Sequence, residues 1–81
     1  GFAYRVIFGV ARKVTFSAGT YTAYRFDSSG HVTTSRRASL PRSSSAAATS
    51  RAVINGRAYV SIMNGIWAGY WMPLGGGVAL N

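Results

Sequence analysis

Asp27 is the only acidic residue in the 81-residue sequence and His31 the only histidine; there is no glutamate and no cysteine. A paired-carboxylate acid/base site, a Cys-type zinc or redox centre and a multi-ligand metal site are therefore excluded by inventory. Serines are plentiful, but no Gly-x-Ser-x-Gly elbow is present, and the one His and one Asp fall in a single turn, which reads as turn chemistry and not as a triad. Gly75-Gly76-Gly77 lacks the following Lys-Ser/Thr and helix that a phosphate loop needs. The sequence thus predicts a protein that is not an enzyme and has no metal or cofactor. What remains is a binding or structural module.

Aromatics and arginines are the residues left to do the binding. Ile66–Met72 reads as a strand, which would put Trp67 and Trp71 on one face with Gly69 between them and Tyr70 on the other. An exposed indole pair of that kind could stack a sugar ring, a base or a peptide, whereas in a small domain the same indoles could serve as core. At least one of Trp67, Tyr70 and Trp71 is expected to be exposed. Tyr21 and Tyr24 flank Ala23 beside Arg25 and read either as a groove edge or as cross-strand packing. The net charge is +8, from eight arginines and one lysine, all between Arg5 and Arg57, while Ala58–Asn81 carries none. Such a chain should attract anions: nucleic acid, anionic lipid or an acidic wall polymer. Arg12, Arg25, Arg37 and Arg57 could clamp phosphates or carboxylates if strands bring them together; otherwise they are a solvated surface. The candidate ligand-binding set is Trp67, Tyr70, Trp71, Tyr59, Tyr24, Arg25 and Arg57.

These residues must be positioned by strands, because helix signals are poor and β-branched and aromatic residues recur in short runs. Ala3–Phe8 and Arg12–Ser17 read as the first two strands. Thr20–Phe26 and His31–Leu40 read as a hairpin around Asp27-Ser28-Ser29-Gly30, with Thr20, Thr22, Tyr24 and Phe26 on one face and Val32 facing the core. Residues 41–50 are Ser/Ala-rich with no large apolar group and read as a surface loop. Asn55-Gly56 and Asn64-Gly65 are two-residue turn signals; they predict a three-stranded meander of Arg51–Ile54, Arg57–Met63 and Ile66–Met72. Pro73 ends it, Gly75-Gly76-Gly77 turns, and Val78–Leu80 is a closing edge strand. The expectation is an all-β fold, a small barrel or compact antiparallel sandwich formed by residues 1–81 as a single domain.

Size and composition bound the rest. At 48% apolar and 14% aromatic the chain is too rich for a disordered tail. No segment reaches the roughly 18 apolar residues that span a bilayer as a helix. Gly1–Phe8 is too short for a signal peptide and is interrupted by Arg5. Gly1 in place of Met points to an excised domain, a processed mature protein or a tag scar. The oligomeric state is not legible.

The segment Arg57-Ala58-Tyr59-Val60-Ser61-Ile62-Met63-Asn64-Gly65-Ile66-Trp67-Ala68-Gly69-Tyr70-Trp71-Met72 resembles the final hairpin of bacterial SH3-like domains, with Gly69-Tyr70-Trp71 at the Gly-aromatic position and Val78-Ala79-Leu80 as the closing segment. Phe16–Phe26 and Gly65–Trp71 are similar to stretches of small modules appended to secreted actinobacterial cell-wall hydrolases. The likeness spans residues 14 to 81. After Pro73 the chain departs from it, with Leu74-Gly75-Gly76-Gly77 replacing polar and charged residues, so no ligand contact carries over to that loop. The resemblance implies an SH3-like barrel and a non-catalytic targeting module, extracellular or cell-wall associated, that recognises peptidoglycan or another wall glycan or muropeptide. Two other readings stay open: a nucleic-acid-binding small β-barrel, and a self-assembling extracellular structural subunit that donates Ala3–Phe8 or Val78–Leu80 to a neighbour.

Overall fold

A computed structural model describes the whole chain, Gly1–Asn81. Seven strands follow in order: β1 Phe2–Phe16, β2 Gly19–Phe26, β3 Val32–Leu40, β4 Ser44–Ile54, β5 Arg57–Ile62, β6 Trp71–Pro73 and β7 Val78–Leu80. All pairings are antiparallel, in one sheet of order β3-β2-β6-β5-β4-β1-β7. The all-β expectation holds, and β2, β3, β5 and β7 lie within a residue or two of the positions read from sequence.

The sheet curls so that its two halves share one core. Val14 and Phe16 of β1, Ala23 of β2, Ala48 of β4, Val60 and Ile62 of β5, Met72 of β6 and Val78 of β7 form a single buried cluster, joined by Trp67 and Tyr70. The ends are tied together locally: the Ser17 N–H donates to the Gly77 carbonyl at 2.9 Å, and the Tyr21 hydroxyl donates to the Ser17 carbonyl at 2.7 Å. The result is barrel-like, but no ladder joins β3 to β7, so these remain edges. The sheet's outer face carries a second, smaller cluster around Ala52, Ile54 and Tyr59.

Several parts of the chain differ from the sequence reading. The two expected first strands are one 15-residue strand with two dislocations. Tyr4 takes φ 49° at the first; at the second, β1 advances from Ile7 to Arg12 while β4 advances only from Ser50 to Ala48, so Phe8–Ala11 bows out of the ladder. Residues 44–50, expected in a loop, form the first half of β4. Ala and Ser are weak strand formers, but here the segment pairs with β1 and, at Ala48 and Ser50, with β5 as well. Ala48 is fully buried in the same cluster as Phe16 and Trp67, so its small side chain serves the packing. Val32, expected to face the core, is 55% exposed, because β3 is an edge strand with only Ala38 and Leu40 tucked inward.

The Asn55-Gly56 turn forms as expected, with φ of 51° and 80° at its two residues. Asn55 also acts at a distance: its Nδ2 donates to the Gly30 carbonyl at 2.7 Å, docking the β4–β5 turn onto the β2–β3 turn. Gly30 is buried there at φ 85°, and a Cβ on it would stand 2.7 Å from Asn55 Oδ1. Asn55→Ala should therefore cost about 2 kcal/mol, from the lost hydrogen bond and the left-handed backbone. Urea unfolding monitored by tryptophan fluorescence reads this out, and Asn55→Gly should recover part of the loss.

Candidate functional site

The second Asn-Gly pair does not make a hairpin. Asn64 Oδ1 accepts the Ala47 N–H at 2.8 Å, so this side chain prolongs β4's hydrogen bonding past the end of β5. Chain reversal is completed later, where the Gly69 N–H donates to the Ile62 carbonyl at 2.9 Å and the Ile62 N–H to the Tyr70 carbonyl at 3.0 Å. Residues 63–70 are thus a folded loop, and strand alternation does not apply to them. Trp67 and Trp71 consequently do not share a face, and the Trp67–Gly69–Trp71 platform does not exist.

The loop instead plugs the core. Trp67 is 3% exposed, stacks on Phe16 at 5.3 Å, and donates its indole N–H to the Arg36 carbonyl at 3.1 Å. Tyr70 is 4% exposed, with the guanidinium of Arg25 over its ring at 4.4 Å and that of Arg36 at 5.0 Å. Both arginines also hold loop carbonyls: Arg36 Nη1 donates to Ile66 at 2.8 Å and Arg25 Nε to Gly69 at 3.3 Å. Gly69 has φ 86°, and a Cβ on it would press on Arg25 Nη2 at 3.2 Å. Trp67, Tyr70 and Arg25 are therefore structural in this fold. Of the two readings open for Arg12, Arg25, Arg37 and Arg57, a clamp or a distributed surface, no shared partner supports the clamp. Arg12 lies over Phe8 at 5.0 Å and donates to the Asn81 carbonyl at 2.8 Å, far from the business of Arg25.

The other four candidates converge on the outer face of the sheet. Alternation along β2 sends Tyr24 and Phe26 outward, opposite to Ala23; β5 sends Tyr59 there, and β6 Trp71. Phe2, paired with Ile54, completes the group. The rings meet edge-on: Phe2–Trp71 at 5.6 Å, Phe2–Phe26 at 6.1 Å, Phe26–Tyr59 at 5.3 Å and Tyr24–Tyr59 at 6.5 Å. Tyr59 is buried, while Phe2, Tyr24, Phe26 and Trp71 are half-buried and keep surface open to solvent. Two arginines cap this layer: Arg5 lies 5.6 Å from the Trp71 ring and Arg57 5.8 Å from the Tyr59 ring. The expectation that at least one of Trp67, Tyr70 and Trp71 is exposed is not met: Trp67 and Tyr70 are buried, and Trp71, which shows the most surface, is half-buried.

Two grooves cut into this face. One, of about 440 Å³, is lined by Phe2, Arg5, Phe26, Asp27, Ser28 and Trp71. The other, of about 270 Å³, lies between β2 and the chain after β6 and includes Thr20, Thr22, Tyr24, Arg57 and Pro73. Pro73 explains the second. The Leu74 N–H points to Ala58 on β5, so position 73 points to β2. Proline has no N–H to give, and pairing of β2 with β6 stops at Tyr24–Trp71. The first groove combines an indole face, a guanidinium and a carboxylate. Asp27 Oδ1 accepts the N–H groups of Ser29 (2.9 Å) and His31 (3.0 Å), and His31 Nδ1 lies 3.3 Å from Oδ2. The backbone hydrogen bond from His31 leads in holding the Asp27 carboxyl below its ordinary pKa. Phe2, Arg5 and Phe26 were not singled out from sequence. Phe26 was findable, since it shares the outward alternation of Tyr24; Phe2 and Arg5 come to the site only through β1's pairing with β4.

No family model, curated protein or solved structure matches this chain.

Two expectations follow. Arg36→Ala should cost about 1–2 kcal/mol, since it frees the Ile66 carbonyl and uncovers Tyr70, while Arg37→Ala on the same exposed strand should change stability by less than about 0.5 kcal/mol. Urea titration of the two variants makes the comparison. For pH, the folded pKa of Asp27 is lowered, so its contribution is present above the unfolded value of 3.8 and is lost as pH falls through the lower folded one. Stability should stay level with respect to this group from neutral pH down to about 4 and decline below it, and Asp27→Asn should flatten that decline. Thermal melts across pH 2–7 (roughly the carboxylate range) measure it.

Proposed function

We propose that this chain is a non-catalytic binding module of the bacterial cell envelope, similar to SH3-like wall-binding domains, that takes up a peptidoglycan fragment or another acidic wall glycan on its outer aromatic face. The observation that carries the reading is the open groove beside Trp71. It is lined by a half-buried indole, by Arg5, whose guanidinium lies 5.6 Å from that ring, and by Asp27 and Ser28. A sugar ring or peptide unit stacks on Trp71, a ligand carboxylate pairs with Arg5, and Ser28 serves hydroxyl or amide groups. Tyr24, Tyr59 and Arg57 extend the same surface to the neighbouring groove. The lone Asp–His pair is spent on a turn, which supports binding without catalysis. An extracellular or wall-associated location belongs to this proposal.

The net charge of +8 favours one competing reading, a nucleic-acid-binding barrel in which the same rings stack bases. Salt separates the two. Phosphate-driven binding falls steeply with ionic strength, whereas ring stacking in the Trp71 groove does not.

The test is tryptophan fluorescence of the unaltered protein titrated with purified peptidoglycan fragments; Trp67 is buried, so a change on binding reports on Trp71, and Trp71→Phe should remove it. A saturable change that persists at about 0.5 M salt, and is weakened but not abolished in Arg5→Ala, is expected. No change, or one abolished by salt, overturns the proposal; tight salt-sensitive binding of single-stranded DNA or RNA would put the nucleic-acid reading in its place.

A further inference from the structure

Away from the aromatic grooves, β1 exposes a run of apolar side chains that a soluble surface does not require. Tyr4 is 84% exposed, Val6 51%, Ile7 74% and Val10 82%, all within seven consecutive residues. The reason is the strand's irregularity. Phe8–Ala11 bows out where β1 has five residue steps against two on β4, and nothing lies within 4 Å of the position a Cβ would take at Gly9. Only Phe8 turns back, packing against the core under Arg12. β7 covers β1 only at Val14–Phe16, so on that side β1 has no partner strand from Phe2 to Arg12. The feature is a ridge and not a groove, so it is shaped to enter another phase and not to receive a segment.

Its surroundings are of one sign. Arg5, Arg12 and Lys13 flank it along the chain, and Arg51 stands across the ladder from Val6. The only acidic side chain, Asp27, is occupied by the N–H groups of its own turn and by His31. An apolar ridge collared by cations, on a chain of net charge +8, matches a bilayer surface rich in anionic headgroups. The same charge opposes pairing with a second copy of the chain.

We propose that the Tyr4–Val10 ridge is a membrane-docking element that inserts Ile7 and Val10 into the interface of an anionic bilayer while Arg12, Lys13 and Arg51 engage lipid phosphates. It is independent of the glycan proposal, since neither Ile7 nor Val10 lines a groove. Insertion places the ridge only as deep as the headgroup–acyl boundary and asks for no spanning segment.

The chain has no cysteine, so Val10→Cys carries an environment-sensitive fluorophore at one site, with Thr34→Cys on exposed β3 as the control. Vesicles of phosphatidylcholine with about one-third phosphatidylserine should blue-shift the label at position 10 and not at 34, and lipids bearing shallow quenchers should quench it. Pure phosphatidylcholine vesicles should bind at least about tenfold more weakly, and so should the Val10→Asp and Ile7→Asp variants on anionic vesicles. Both positions are exposed, and the melting curve of each variant should match the parent. Three results would overturn the proposal. Undiminished vesicle binding by Val10→Asp would reduce the contact to charge alone. A concentration-dependent blue shift without lipid would assign the ridge to self-association. Absence of binding to anionic vesicles would leave no membrane role.

Discussion

Trp67 closes this protein. A barrel-like sheet with an open seam between β3 and β7 cannot keep water from its interior by hydrogen bonding alone. The chain forms no helix to cover it and has no disulfide to draw the ends together. It uses the 63–70 loop as a stopper. The indole enters beside Phe16 and Tyr21, and its one polar atom finds the Arg36 carbonyl on the edge strand. That bond and the Arg36–Ile66 bond run in opposite directions between the same two elements, so loop and edge strand each satisfy the other. Once the stopper is seated, Tyr70 follows, and with it the two guanidinium groups that cover it. No buried side-chain polar atom is left without a partner.

The consequence is a division of labour between the two faces of one sheet. Inward positions are filled for packing and leave nothing for a ligand. Outward positions hold rings that touch one another by their edges, which leaves portions of their faces uncovered. Arg25 and Tyr24 are adjacent in sequence yet belong to opposite sides, one holding the stopper and one joining the outer aromatic layer. Charge follows the same logic: Arg25 and Arg36 are tied into the fold, whereas Arg5 and Arg57 rest only on rings and remain free to meet an anion.

Much of this was legible in the residues where a local rule dominates. Period-two alternation placed Tyr24 and Phe26 together and Arg25 opposite, and Asn55-Gly56 made the turn that its backbone preferences demand. The misreadings came where a side chain took over a backbone role or where neighbours overrode propensity. Asn64 looks like Asn55 in sequence, but its amide oxygen is captured by Ala47, a residue seventeen positions away. The loop that follows then removes Trp67 from any strand register. The Ser/Ala stretch has no intrinsic reason to be a strand; β1 and β5 supply one. Phe2 and Arg5 could not be assigned to the outer aromatic face, because only the pairing of β1 with β4 carries them there.

Five of the eight arginines rest on carbonyl oxygens or aromatic rings, and none is matched to a side-chain carboxylate. Ordinary proteins trade some ion-pair attraction for self-repulsion as salt is added, so the two changes partly cancel. Here there is little attraction to lose and eight surplus positive charges to screen. Ionic strength should accordingly tighten the folded state while loosening its long-range hold on anions. Added salt thus favours the fold and weakens its long-range pull on anions, and leaves contacts made by the rings alone in place.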